Sequence, residues 1–237
     1  GASLQDRFLA YRRQKQQAAR MQKAKASAAR DAAFKERLRR KFVEQAKKYL
    51  GVPYKQKYHE PGTEHYDAPL YLDCCGLVRR VMDDLQDDFG FRIGRWNQAY
   101  MFDTLPAALE LSEMKPGDLV FYTGTFYSSK SKKQIHDVVH VEIFTGGETG
   151  EETIAARYQK GVVKFFDSYR FESKLYHSIV FHLRSLDTWL EGVCKSHCAE
   201  HEWKITQWSV DKRSVFYEGE GQSAGGDSDD DAEEEDA

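Results

Sequence analysis

The stretch DCCGLVRRVMDDL, residues 73–85, decides the fold of this chain. Its apolar residues recur every three or four positions, which predicts a helix over residues 74–89. Asp73 precedes that helix as a candidate N-cap, because its carboxylate can accept hydrogen bonds from the first main-chain N–H groups. Two cysteines, Cys74 and Cys75, therefore stand where the helix begins. The apolar side of the predicted helix consists of Leu77, Val81, Met82 and Leu85.

The patterns on either side of this stretch indicate an α+β protein. Residues 34–50 carry apolar residues at helical spacing, which predicts a helix that packs on the domain. Strand patterns follow the cysteine helix, and such segregation of helices from strands is typical of α+β folds. The predicted strands are 119–122, 138–145, 153–156, 162–166 and 177–184, with a last helix at 186–201.

Cys74 is a candidate nucleophile because of its place at the start of the helix. A thiol reacts as the thiolate, and a helix N-terminus lowers the pKa of a thiol while a nearby imidazole takes its proton. His140, in the predicted strand 138–145, can face such a cysteine across a cleft. His136 is the alternative base and Cys75 the alternative nucleophile. The plainer interpretation of Cys74 is a small buried apolar residue, which holds for most cysteines.

Four stretches in this order resemble the NlpC-type family of papain-like cysteine peptidases, a superfamily of bacterial cell-wall endopeptidases. The chain is identified as a divergent, eukaryotic-type member. The resemblance covers residues 50–166 and implies a papain-like fold, in which the nucleophile helix packs on an antiparallel sheet. It also implies a role for each of three residues: Cys74 as nucleophile, His140 as general base, and Tyr54 beside the oxyanion. The four stretches are LGVPY at 50–54, DCCGLV at 73–78, KPGDLVF at 115–121 and VHVEIFTG at 139–146.

The chain departs from the family at the third catalytic position. The family usually has a polar residue there that orients the base, and the matching residue here is Ala155. Glu142 lies two residues after His140, so strand alternation puts both on one face, and Glu142 is a candidate substitute orienter. Arg157 lies near this position but cannot accept a hydrogen bond from the base.

The resemblance implies a hydrolase that cleaves an amide or isopeptide bond through a cysteine thioester. We expect its substrate to be a peptide or a protein-borne amide. The alternative is a non-catalytic adaptor that keeps the papain-like fold and binds a partner through its N-terminal arm. Ala155 favours the adaptor, whereas Cys74 and His140 together favour the enzyme.

Charge divides the chain into three parts. Residues 1–48 hold 15 Lys and Arg against 4 Asp and Glu, whereas residues 218–237 hold 10 acidic residues and no basic one. We expect a basic helical arm at 1–33, a domain at 34–217 that includes a C-terminal helix, and a disordered acidic tail at 218–237. The arm could bind an acidic protein surface, nucleic acid or membrane phosphates, or it could be a solvated helix without a partner.

The apolar runs and the cysteines indicate the cellular compartment of the protein and whether it holds a metal or cofactor. The sequence contains neither a run of about 20 apolar residues nor a signal-peptide pattern, so we expect a cytoplasmic protein with no transmembrane segment. Residues 1–3, Gly-Ala-Ser, suggest that the natural start lies elsewhere. The four cysteines resemble no disulfide framework. Four potential ligands share one face of the predicted last helix and would need partners from elsewhere to hold zinc, so we expect no metal and no cofactor. These residues are Cys194, His197, Cys198 and His201.

Overall fold

The computed structural model describes residues 21, 31–56, 58–59, 61–64, 66–67 and 70–198. Most of the predicted basic arm, the whole acidic tail and His201 lie outside these residues. The predictions made for them therefore stay predictions.

Five α-helices are present in the described chain. The helix over residues 31–47, α1, confirms the helix predicted at 34–50 but ends three residues earlier. The helix predicted at 74–89 is two helices, because the chain leaves helical geometry at Leu85. The remaining bounds are α2 Cys74–Asp84, α3 Gln86–Phe89, α4 Gln98–Thr104 and α5 Asp187–Leu190. Within the described residues no helix is both long and apolar enough to cross a membrane.

The five predicted strands are all present and form one antiparallel sheet. The spatial order is β4-β3-β2-β1-β5, so β2, which carries His140, is the second of three inner strands. The bounds are β1 Leu119–Phe126, β2 Val138–Gly146, β3 Glu152–Ala156, β4 Val163–Phe166 and β5 Tyr176–Arg184. The protein is thus a mixed α+β structure built on a five-stranded antiparallel sheet.

The sheet buries both faces. One face packs against the helices, where Phe42 of α1 and Val81 of α2 are fully buried in the same core as Val141 and Ile143 of β2. The other face forms a second core around Tyr122 of β1, closed by the chain between β4 and β5. Residues of that closing chain include Tyr169, Phe171 and Leu175.

A buried arginine joins α1 to the sheet. Arg39 Nη1 lies 2.5 Å from Asp118 Oδ1, and its Nη2 lies 2.6 Å from Asp187 Oδ1 at the start of α5. Gly117 has a φ of +97°, and a Cβ there would lie 3.2 Å from Arg39 Cγ. The PGD turn before β1 is therefore shaped by the arginine that packs over it.

The helix predicted at 186–201 is wrong beyond its first turn. Between residues 186 and 198, the described part of this stretch, only Asp187–Leu190 is helical, and Gly192 then adopts a left-handed φ of +75° that ends the helix. The chain after Gly192 instead bonds to α4: the His197 N–H donates to the Asp103 carbonyl at 3.2 Å. Cys194, His197 and Cys198 therefore do not share a helix face, because residues 193–198 are irregular; His201 lies outside the described residues.

Candidate active site

The start of α2 is fixed by Asp73 and Gly76. The Asp73 carboxylate accepts a hydrogen bond from the Gly76 N–H at 2.6 Å, which is a capping contact at the helix N-terminus. A Cβ on Gly76 would lie 2.7 Å from Asp73 Oδ1. Gly76 is thus needed because any larger residue would obstruct the capping carboxylate of Asp73. With Asp73 as the N-cap, Cys74 is the first residue of α2.

Cys74 and His140 line the same cavity. Its volume is about 90 Å³, well below the several hundred Å³ typical of a site that encloses a small-molecule ligand. Tyr54 and Tyr176 also line it. Cys75 is not among the described lining residues, which favours Cys74 over Cys75 as the group that a bound molecule would meet.

The Cys74 sulfur is close to the strand that carries His140. It makes a hydrogen bond with the main chain of Val141, the next residue along β2. The pKa of the thiol nevertheless lies well above its usual value. The largest cause is the hydrogen bond between Cys74 and Cys75, followed by burial, by the proximity of Cys75 and by the negative charge of Asp73, and the Val141 contact only partly opposes them. The expected lowering of this pKa by the helix N-terminus is therefore wrong for the structure as it stands.

Cys75 contacts two charged neighbours. Its sulfur lies 3.4 Å from Asp73 Oδ1 and 3.3 Å from Arg79 Nη1. Arg79 in turn lies over the ring of Tyr58, at 5.2 Å from the centroid. Cys75 is therefore engaged by side chains on both sides of the helix start, and it is not among the described residues that line the cavity.

Glu142 is hydrogen-bonded to His140. The distance from His140 Nε2 to Glu142 Oε1 is 3.0 Å, and both side chains are buried. Tyr122 and Phe171 pack against the imidazole with centroid distances of 4.9 and 5.7 Å. Because Nε2 is engaged with the carboxylate, a proton exchange with Cys74 would have to use Nδ1.

The Glu142 carboxylate is held in its charged form by an arginine. Arg157 Nε and Nη2 donate to its two oxygens at 2.6 and 3.0 Å, and the Thr153 hydroxyl donates at 2.6 Å. Burial by itself raises the pKa of Glu142, but the hydrogen bonds from His140 and Arg157 outweigh burial and lower the pKa to about 2. The carboxylate beside His140 is thus ionised over the whole range in which a histidine titrates.

Ala155 lies on β3, beside the strand that carries Glu142. The two strands pair with Ile143 opposite Ile154, and continuing this register puts Ala155 opposite Glu142 on the same face of the sheet. Ala155 is buried, with 1% of its surface exposed. A small residue here leaves space for the larger Glu142 side chain, and Arg157 follows two residues later on the same face.

Tyr54 reaches the cavity from the loop after α1. Its main-chain N–H donates to the Gly161 carbonyl at 2.7 Å, which fixes the loop to the turn between β3 and β4. Burial raises the pKa of Tyr54, and the proximity of Cys74 raises it further. The same two causes raise the pKa of Tyr176. Tyr176 was missed by sequence reasoning, because an aromatic residue at the start of a strand is more often a core residue.

His136 lies apart from this cavity, in a 3-10 turn at Ile135–Asp137 that precedes β2. Its ring is 6.1 Å from that of Phe102 on α4. Among the described residues the cavity is lined by His140 and not by His136. The geometry therefore favours His140 as the partner of Cys74.

Comparison with known proteins gives limited similarity. No protein-family model and no curated protein match the chain. Two solved structures from Trichomonas vaginalis are similar over 60% of this chain: NlpC1, with 22% sequence identity and a TM-score of 0.38, and NlpC2, with 18% and 0.39. The match covers 42% of the NlpC1 chain and 44% of the NlpC2 chain, so this chain spans less than half the length of either.

Proposed function

We propose that this protein is a cysteine peptidase or amidase with a papain-like NlpC-type domain. The observation that carries the proposal is one cavity lined by Cys74, at the start of α2, and by His140, whose imidazole is bonded to the ionised Glu142. A nucleophile, a base and a group that orients the base are the components that covalent acyl transfer requires.

The mechanism that fits these groups forms and then hydrolyses a thioester. His140 Nδ1 takes the Cys74 proton as the sulfur attacks the carbonyl carbon, and Glu142 stabilises the imidazolium and holds the ring tautomer. The Cys74 main-chain N–H and the Tyr54 hydroxyl donate to the oxyanion. The imidazolium then protonates the leaving amine, and water, deprotonated by His140, cleaves the thioester.

The raised pKa of Cys74 bears on the first step. A resting ion pair between thiolate and imidazolium would need a lowered thiol pKa, whereas here Cys75 and Asp73 favour the protonated thiol. The proton must therefore move during the attack, with His140 as general base. Turnover is then expected to be slower than with a preformed thiolate.

The small cavity limits what can enter it. About 90 Å³ accommodates the reacting group and one short side chain, not a whole peptide. The rest of a peptide or protein-borne amide substrate would extend over the surface. Tyr54, Gln56 and Asp73 of the stretch between α1 and α2 line this cavity, and they would set part of the specificity.

The second candidate function is a non-catalytic adaptor with the same fold. The burial and raised pKa of Cys74 favour it, since both make the thiol less reactive. On this hypothesis the cavity carries no chemistry and the basic arm at 1–33 binds a partner with an acidic surface.

Acylation by an activated ester of a short N-acyl amino acid separates the two functions. Intact-mass spectrometry should detect a transient adduct on the wild type and on Cys75→Ala, and no adduct on Cys74→Ala. His140→Ala should slow adduct formation by about 10²–10⁴-fold, the usual contribution of a general base. An adduct on Cys75, or equal rates for wild type and His140→Ala, would contradict the enzyme and favour the adaptor.

A further inference from the structure

Three potential metal ligands meet at the far end of α4. Asp103, His136 and Cys198 each offer one ligand atom, and these atoms all lie within 4.8 Å of one another. The three residues come from α4, from the 3-10 turn before β2 and from the segment after α5. They are distant in sequence, so only the fold brings them together.

Hydrogen bonds fix the three elements against each other independently of the three side chains. Gln98 Nε2 of α4 donates to the Val138 carbonyl at 3.1 Å, and Asn97 Nδ2 donates to Gln134 Oε1 at 3.0 Å, on the two sides of the 3-10 turn. The His197 N–H donates to the Asp103 carbonyl. The convergence is therefore maintained by the surrounding main chain and amides.

The mixture of ligand types points to one metal. Imidazole nitrogen, thiolate sulfur and carboxylate oxygen together suit zinc, which accepts all three, whereas Mg²⁺ and Ca²⁺ prefer oxygen alone. One thiolate, one carboxylate and a neutral imidazole carry two negative charges, which balance Zn²⁺. Asp103 is buried, with 7% of its surface exposed. The attraction between its carboxylate and a zinc ion is therefore stronger than it would be on the protein surface.

We propose that Asp103, His136 and Cys198 bind a zinc ion. Ligand atoms of a tetrahedral zinc lie about 3.5 Å apart, so small rotations of these side chains complete the geometry. Three protein ligands leave a fourth position for water or a further side chain. Asp103 and His136 are the partners from elsewhere in the chain that a zinc site at Cys198 requires.

The site connects the segment after α5 to the 3-10 turn that leads into β2. His136 lies four residues before His140, and Cys198 belongs to the segment that runs back along α4. Zinc therefore stabilises the region next to the cavity without entering it. The proposal stands or falls independently of the proposed function.

Zinc stoichiometry of the full chain tests the proposal. The protein is stripped with a chelator, reloaded with zinc chloride, freed of excess metal by gel filtration and assayed by atomic emission. The wild type should retain about one zinc per chain. Mutation of residues that only hydrogen-bond to metal ligands typically lowers metal affinity 10–100-fold. His136→Ala and Cys198→Ser, which remove a ligand, should each lower the zinc affinity at least about 100-fold and therefore retain almost no zinc. His177→Ala, a distant exposed histidine, and Cys74→Ala/Cys75→Ala should keep the wild-type value.

Cobalt provides a second measurement, and circular dichroism of the same samples distinguishes loss of a ligand from loss of the fold. Co²⁺ in the wild type should show a thiolate-to-metal charge-transfer band, which Cys198→Ser should abolish while circular dichroism shows an unchanged fold. Zinc retained by both His136→Ala and Cys198→Ser would overturn the proposal. So would zinc lost from Cys74→Ala/Cys75→Ala, absence of the band in the wild type, or its persistence in Cys198→Ser.

Discussion

Glu142, the third member of the candidate site, comes from the same strand as His140, the proposed base. His140 and Glu142 are two residues apart on β2, so both side chains project from one face and the carboxylate reaches Nε2 at 3.0 Å. Ala155 on the neighbouring strand is too small to compete for that space. The sequence could predict the shared face, but not that Arg157 and Thr153 would hold the carboxylate, because those contacts depend on the pairing of β2 with β3.

Replacing Glu142 should change the pH dependence of stability. The folded-state pKa of about 2 lies below the ordinary value of 4.5, so the unfolded chain binds more protons between these values. The corresponding stabilisation, about 3 kcal/mol, is complete above about pH 4.5 and disappears as the pH falls toward 2. Glu142→Gln should remove this component and leave the Arg157 charge buried, with a loss of about 3–5 kcal/mol at pH 7 in urea unfolding.

Glu152→Gln provides the matched control for Glu142→Gln. Glu152 is on the neighbouring strand and bonds the Thr145 hydroxyl at 2.8 Å near the surface. Its replacement should change the free energy of unfolding by no more than about 0.5 kcal/mol. Equal losses in the two variants, or a Glu142→Gln stability curve parallel to that of the wild type below pH 4.5, would exclude a special role for the Glu142–Arg157 pair.

At the scale of elements, the strands were predictable and one short helix was not. Apolar runs bounded by glycine predict strands such as β2 because a strand buried on both faces needs apolar residues throughout. α4 has no apolar stripe, since almost all of its seven residues are buried, including the polar Gln98, Asp103 and Thr104. Its burial comes from the sheet on one side and the segment after α5 on the other, and neither packing partner is local in sequence.

Arg39 should be among the most important residues for the attachment of α1. Its guanidinium is 5% exposed and the Asp118 carboxylate 1%, so removing the arginine leaves a buried negative charge. Asp118 keeps hydrogen bonds from the Leu186 and Lys115 N–H groups, which compensate only in part. We expect Arg39→Met to lower the free energy of unfolding by about 3 kcal/mol in urea titration.

Lys41→Met is the control on the same helix. Lys41 Nζ pairs with Asp88 at 2.8 Å, but its side chain is half exposed, and exposed pairs contribute at most about 1 kcal/mol. The charge change and the hydrophobic replacement are the same in both variants. A loss for Arg39→Met no greater than that for Lys41→Met would refute the role of the buried pair.

For the whole molecule, the boundary between arm and domain can be tested at residue 34. Within the described chain, the first residue of α1 in the core is Leu38, with 2% of its surface exposed, whereas Phe34 is 41% exposed. Phe42 and Ala46 follow at helical spacing and are completely buried. The arm and the acidic tail were predicted from composition alone. Composition shows that a segment has too few apolar residues to form a core, but it does not show what the segment contacts.

A chain of residues 34–217 should therefore fold as the full chain does. We expect its thermal midpoint within about 4 °C of that of the full chain, which corresponds to roughly 1 kcal/mol for a domain of this size, and the same rate of Cys74 acylation by the activated ester. A chain of residues 48–217 lacks α1 and exposes the apolar surface that Leu38, Phe42 and Ala46 cover, so it should lose cooperative unfolding. Calorimetry of the three chains measures both effects. A fall of about 10 °C or more for 34–217 would show that the arm or the tail contributes to the fold, and the three-part division by charge would then be wrong.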